Sequence, residues 1–168
     1  MPNKPITNLF WFIPWCIRYN ANKTKAVYES DVKPFLAKHG IEKVGVFSFC
    51  WGATAGIGIS AFPEVKCHVG FHPSTQVYSL SFGPSMEKAL SEVVCPQIYL
   101  VAKNDQVSPG GDAEKFVKDK AKQECVVHLY ENQVHGWVNR GDVSVPGVKD
   151  DVEKALHEAE EYFNKYLA

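Results

Sequence analysis

The sequence predicts an α/β fold, a parallel β-sheet covered by helices, on three observations. Short apolar runs of strand length recur at residues 43–48, 65–71, 97–101 and 126–130, each rich in β-branched or aromatic side chains. Helical patterns separate them, and such alternation marks a parallel sheet with helices packed on its faces. The 168 residues, 45% hydrophobic and 22% charged, suit a single domain over residues 1–168. Folding at this length removes about 70% of the unfolded chain's surface from water, so a real core is expected.

Residues 1–22 show no readable element; the apolar run at 6–17 is too short to span a bilayer, and Pro14 with its flanking tryptophans makes a poor signal-peptide core. Phe10, Trp11, Phe12 and Trp15 are expected to cover part of the sheet or dock a partner. A first helix, capped by Thr24 or Ser30, ends at Gly40, a natural residue just past a helix. Pro34 sits either in its first turn or at a kink. The strand at 43–48 reads as buried. After Trp51, the small residues Gly52, Ala53, Ala55, Gly56, Gly58 and Ala61 suit a helix lying close on a sheet. In the second strand Val65, Cys67, Val69 and Phe71 alternate with Lys66, His68 and Gly70. A third strand at 97–101 is followed by a helix that Asp112 caps and that runs through Lys122, then by the strand at 126–130. The last helix is the plainest: Val148, Val152, Ala155, Leu156, Ala159, Phe163 and Leu167 fall three or four apart and form one apolar stripe.

Charge and cysteine usage narrow the partners. Eighteen basic against nineteen acidic residues give a formal charge of -1, with no electrostatic handle for nucleic acid or an anionic membrane. A small molecule or a protein is the expected partner. Cys16, Cys50, Cys67, Cys95 and Cys125 are odd in number and form no CxxC pair, so neither a disulfide framework nor a zinc ribbon follows. The chain is expected to be cytoplasmic and reduced. His68 and His72 are four apart, but on a strand and without an evident third ligand, so no metal and no cofactor is expected.

Strand, sharp turn and helix surround one cysteine: Val44-Gly45-Val46-Phe47-Ser48-Phe49-Cys50-Trp51-Gly52-Ala53. Small residues two before and two after a central nucleophile fit a strained strand-to-helix elbow, where neighbouring backbones approach closely. Such an elbow lifts the sulfur over the carboxyl edge of the sheet, where ligands of parallel sheets bind, and sets it at a helix N-terminus that favours thiolate. Cys50 read alone is equally a buried, inert thiol. A nucleophile needs a base, and the base an orienting acid. Asp105 follows the third strand and His135 the fourth, so all three groups leave the same edge. Trp51 and Trp137 flank Cys50 and His135; they either wall an apolar pocket or belong to the core. His72, just past the second strand, is expected to line the cleft.

These residues resemble the dienelactone hydrolase (carboxymethylenebutenolidase) family of the α/β-hydrolase superfamily, whose triad runs in the order nucleophile, acid, base. The likeness lies in residues 43–52, in Gly70-Phe71-His72-Pro73-Ser74, in the Asp105 loop, in His135-Gly136-Trp137-Val138-Asn139-Arg140-Gly141-Asp142 and in the closing helix. Ser48 stands where the family usually has glycine. The resemblance implies a three-layer α/β-hydrolase sandwich that hydrolyses small esters or lactones. Cys50 would attack, His135 would carry the proton and Asp105 would hold the imidazole. The Trp51 N–H would serve as an oxyanion donor and Arg140 would bind a substrate carboxylate.

A full sheet of that superfamily has about eight strands, against four read here. The early strands, the loop that supplies a second oxyanion donor and a carboxylate that modulates the nucleophile have no counterpart before Cys50. The chain is therefore expected to be the carboxyl-terminal portion of the fold, with a first strand whose exposed edge could support self-association. Two other functions stay open at this point. One is a catalytically weak fragment serving as a binding or assembly module. The other is a thiol redox protein using Cys50, for which no resolving cysteine lies nearby in sequence.

Overall fold

The computed structural model describes residues 14–15, 18–75 and 85–168. At its centre lie β1 (Val44–Phe49), β2 (Val65–Phe71), β3 (Gln97–Ala102) and β4 (Cys125–Tyr130), in chain order across the sheet and all parallel. These bounds agree with the expected strands to within one residue at each end. The common direction has one consequence that governs function: every strand delivers its following loop to the same edge.

The helices that flank the sheet are α1 (Ala21–Val27), α2 (Lys33–Lys38), α3 (Gly52–Ile59), α4 (Met86–Ser91), α5 (Asp112–Lys115), α6 (Trp137–Arg140) and α7 (Val148–Leu167). On one face Ala21, Ile57 and Leu90, with Val117 just beyond α5, meet Tyr99, Val101 and Cys125. On the other, α7 lays Ala155, Ala159 and Tyr162 against Cys67, Val69, Phe71 and Leu100. The result is the three-layer arrangement, with β2 and β3 covered on both sides as parallel strands require. At the outer side of β1, Phe47 is 62% exposed. No helix among the described residues is long and apolar enough to cross a membrane.

Several local expectations are corrected. The first helix is capped by neither Thr24 nor Ser30 but by Asn20, whose side chain accepts from the Lys23 N–H at 3.1 Å. Both hydroxyls instead turn back onto carbonyls one turn earlier, Thr24 to Asn20 and Ser30 to Val27. Pro34 breaks the helix in two: a π-turn over Tyr28–Val32, with the Lys33 N–H reaching back to the Tyr28 carbonyl, precedes α2. The widened turn removes the clash between the proline ring and the carbonyl four residues back. Gly40 ends α2 as expected, with φ +64° and the paired bonds Gly40 N–H to Ala37 and Ile41 N–H to Leu36.

Gly111, not Asp112, caps α5, and the helix passes into a π-turn over Phe116–Lys120. Between β2 and β3, where the sequence marks no helix bounds, lies α4, a single short stretch that Ser85 caps by accepting from the Lys88 N–H. In α7 the buried stripe runs through Ala155, Ala159 and Tyr162, while Leu156 is exposed. Phe10, Trp11 and Phe12 lie outside the described residues. Trp15 packs edge-on against Trp51, ring centres 4.5 Å apart.

One polar chain crosses the buried sheet. The Ser48 hydroxyl on β1 meets His68 Nε2 at 2.7 Å, and His68 Nδ1 meets Gln97 Oε1 on β3 at 2.7 Å. An amide oxygen can only accept, so Nδ1 carries the proton and Nε2 accepts from Ser48. Burial pushes the His68 imidazole down to about 4, which keeps it neutral in this role. Gly56 of α3 leaves room for that ring, because a Cβ there would strike His68 Nε2. Gly56→Ala should therefore lower stability by about 1–3 kcal/mol, the usual cost of overpacking, measured by urea unfolding.

Candidate active site

Cys50 follows β1 directly and adopts φ +52°, a left-handed conformation that costs a non-glycine residue energy. Its backbone is held from two sides. The Cys50 N–H donates to the Phe71 carbonyl at 3.1 Å, and the Ser74 N–H donates to the Cys50 carbonyl at 3.0 Å. The turn leads into α3 two residues later, so the sulfur stands at the positive end of that helix. These are the features of the elbow expected from the small residues around Cys50.

The loops after β3 and β4 bring Asp105 and His135 to it. His135 Nε2 lies 3.0 Å from Cys50 Sγ, and His135 Nδ1 lies 2.5 Å from Asp105 Oδ1. A carboxylate accepts, so Nδ1 holds the proton and Nε2 is left to take the thiol proton. The other carboxylate oxygen accepts from the Ala102 N–H at 2.7 Å, and the Asp105 side chain is 0% exposed. Asn104 steadies the base by accepting from the His135 N–H at 2.7 Å. Gly136, at φ +90°, then turns the chain sharply away, a conformation that suits glycine.

The electrostatics follow from these contacts. Burial alone would push the Cys50 thiol up. Hydrogen bonds from Ser74, His135 and the Trp51 N–H, together with the charge of His135, outweigh it and hold the thiol below its usual value. Burial alone would push His135 down, but its bonds to Asp105 and Cys50 bring it above the ordinary histidine range. Cys67 and Cys125, pushed up by burial to about 12, and Cys95, to about 11, are inert by comparison.

The remaining expected site residues are placed differently from one another. The Trp51 backbone N–H faces the sulfur. Arg140 is exposed on α6, its guanidinium folded over Gly136, and its charge is felt at His72. His72 does not line the cleft. It is 0% exposed and lies beneath the base, its ring edge-to-face with His135 at 5.0 Å. Trp137 is a core aromatic, 2% exposed and packed on Tyr130, because the turn at Gly136 sends its indole down into the sheet side. Ser74, which its place in a strand-end loop does not by itself mark as functional, sets its hydroxyl 3.5 Å from Cys50 Sγ and 3.3 Å from His135 Nε2. Asn104 was missed as well; its position next to Asp105 on a strand-end loop was the available signal.

The sequence pattern of the dienelactone hydrolase family matches residues 20–167. The chain belongs to that family. A human protein described as a carboxymethylenebutenolidase homolog is 26% identical over 172 aligned residues, which cover 93% of this chain and 62% of the human one. This dienelactone hydrolase family member thus spans less than two thirds of that relative's length. Among solved structures, a Klebsiella pneumoniae protein assigned as a dienelactone hydrolase superposes with a TM-score of 0.61 at 17% identity, over 80% of this chain and 58% of its own. An acylaminoacyl peptidase from Pyrococcus horikoshii gives 0.60 at 12% identity, over 81% and 26%. These likenesses show the α/β-hydrolase fold.

The lowered thiol has a direct chemical readout. Alkylation of Cys50 by iodoacetamide, followed by peptide mass measurement, should rise with pH through a midpoint below the ordinary thiol value of about 8.5. Because His135 favours the thiolate, His135→Ala should move that midpoint up.

Proposed function

We propose that this member of the dienelactone hydrolase family hydrolyses small esters or lactones through a thioacyl intermediate on Cys50. The observation that carries the proposal is the continuous hydrogen-bonded line from Asp105 through His135 to a cysteine held in a strained elbow. Structural residues rarely need such strain, and its cost is retained where it aims a reacting group.

The chemistry then runs in two halves. The Cys50 thiolate attacks the carbonyl carbon, and the carbonyl electrons move onto oxygen, where the Trp51 N–H is positioned to donate. Removing one such donor typically costs about 10²- to 10³-fold in rate. Collapse of the adduct expels the alcohol oxygen, which takes the proton from His135 Nε2, and leaves a thioester. Water next gives a proton to Nε2 as it attacks the thioester. Collapse releases the carboxylic acid and restores the thiolate–imidazolium pair. Asp105 keeps the imidazole in one tautomer throughout. In a lactone the expelled oxygen stays tethered to the acyl group and leaves with it at the second step.

Arg140, exposed beside the base, is suited to a carboxylate on the substrate. The notion of a pure binding module has no comparable support in the geometry, since such a role gives no reason for a base aligned on a strained thiol.

Hydrolysis of a short-chain aryl ester, or of a dienelactone, should fall by about 10³-fold or more in Cys50→Ala. Equal rates for the two proteins would remove the thioacyl mechanism, and a well-folded wild type without turnover would favour the binding module. For a substrate that carries a carboxylate, Arg140→Gln should raise KM by about 10- to 100-fold, as expected on losing one charged hydrogen bond, and leave kcat much less changed.

A further inference from the structure

Three polar atoms form a closed triangle at the sulfur. Cys50 Sγ and His135 Nε2 are 3.0 Å apart, and the Ser74 hydroxyl stands 3.5 Å from the first and 3.3 Å from the second. We propose that Ser74 is a catalytic residue of this site, its hydroxyl donating to the Cys50 thiolate of the resting protein. The inference rests on the thioacyl reading above and adds a fourth side chain to it.

Sulfur and Nε2 share one proton. When Nε2 holds it, the nitrogen can only donate and the thiolate can only accept. The single hydroxyl proton of Ser74 then has one acceptor available in the triangle, the sulfur. The thiolate thus takes two donors, Nε2–H and Oγ–H. When the thiol is neutral, or the sulfur carries an acyl group, that negative acceptor is gone and Nε2 becomes the better target. The hydroxyl therefore discriminates between the charge states of the pair, and it favours the thiolate. No atom is transferred to or from Ser74.

Backbone placement makes this a built contact. Ser74 is clamped to the elbow by its N–H bond to the Cys50 carbonyl, and its own carbonyl accepts from the buried Thr54 hydroxyl of α3 at 3.4 Å. The chain reaches that position through a second strained residue, His72 at φ +37°, whose N–H is tied to the Leu100 carbonyl at 2.8 Å. Two left-handed, non-glycine residues, Cys50 and His72, stand at neighbouring strand ends, and the bonds of Cys50 to Phe71 and Ser74 hold the β1 and β2 loops together. Without the turn at His72 the strand would carry on in the direction of β2, away from the sulfur. The strain has a specific product: a hydroxyl within reach of both reacting atoms.

The test reads the sulfur rather than turnover. Cys50 alkylation by iodoacetamide is followed by peptide mass measurement against pH in wild type, Ser74→Ala, Ser74→Thr and Ser74→Val. Thr and Val share a shape and differ by the hydroxyl. Ser74→Ala and Ser74→Val should move the midpoint up by about one pH unit, the scale of one hydrogen bond to a charged group, while Ser74→Thr stays near wild type. If Ser74→Ala proves too unstable to assay, the Thr and Val pair decides alone. A midpoint that is the same with and without the hydroxyl overturns the inference. Ester hydrolysis by Cys50→Ala is measured separately: its persistence would defeat the thioacyl reading whatever Ser74 does, whereas a dead Cys50→Ala with an unmoved Ser74→Ala midpoint defeats only the present inference.

Discussion

The conformation of one residue, Cys50, governs the rest of this site. A left-handed backbone there is disfavoured for any side chain with a Cβ, so it persists only while its surroundings over-determine it. Those surroundings are the end of β2 and the start of α3. The Phe71 carbonyl takes the Cys50 N–H, and the Cys50 carbonyl takes N–H groups from both Ala53 and Ser74. With the turn thus closed, the sulfur projects over the edge to which β3 and β4 also lead. Parallel strand direction supplies the meeting place, and the elbow supplies the aim.

Charge is then balanced within a small volume. The unexposed side chain of Asp105, an imidazole and a thiol lie in line, and the contacts favour the charged forms of His135 and Cys50 against the cost of burial. His72 below the base is driven the other way. Burial first, and then the charges of His135 and Arg140, push it down to about 4, so it stays neutral next to a group that becomes positive. A second imidazolium at 5 Å would repel the first, and burial removes that competitor.

Much of this was legible in the chain. β2 and β3 are covered on both faces, and the mostly apolar runs of all four strands stand out against their polar flanks. The meeting of Cys50, Asp105 and His135 was legible because strand order and loop position alone bring them to one edge. What stayed hidden depends on backbone turns that side-chain patterns do not encode. A residue just past a strand can point over the edge or under it, and His72 and Trp137 point under. Ser74 gains its contact from the positive φ at His72, two residues earlier, where nothing in the letter sequence marks a left-handed histidine. The π-turn ahead of α2 left a trace in Pro34, but the one after α5 did not, since both widened turns keep the apolar spacing of an ordinary helix.

Ser48, two residues before the sulfur, is the first rung of a polar tie that runs sideways through β2 to Gln97 on β3. Hydrogen bonds between strand backbones fix register locally, whereas this tie runs through the interior across three strands and cannot be exchanged for water. Sliding β1 along β2 would strand an imidazole nitrogen in a dry environment, a penalty of the order of 1–3 kcal/mol. The end of β1 that carries Cys50 is thereby tied against shear to the two strands beside it.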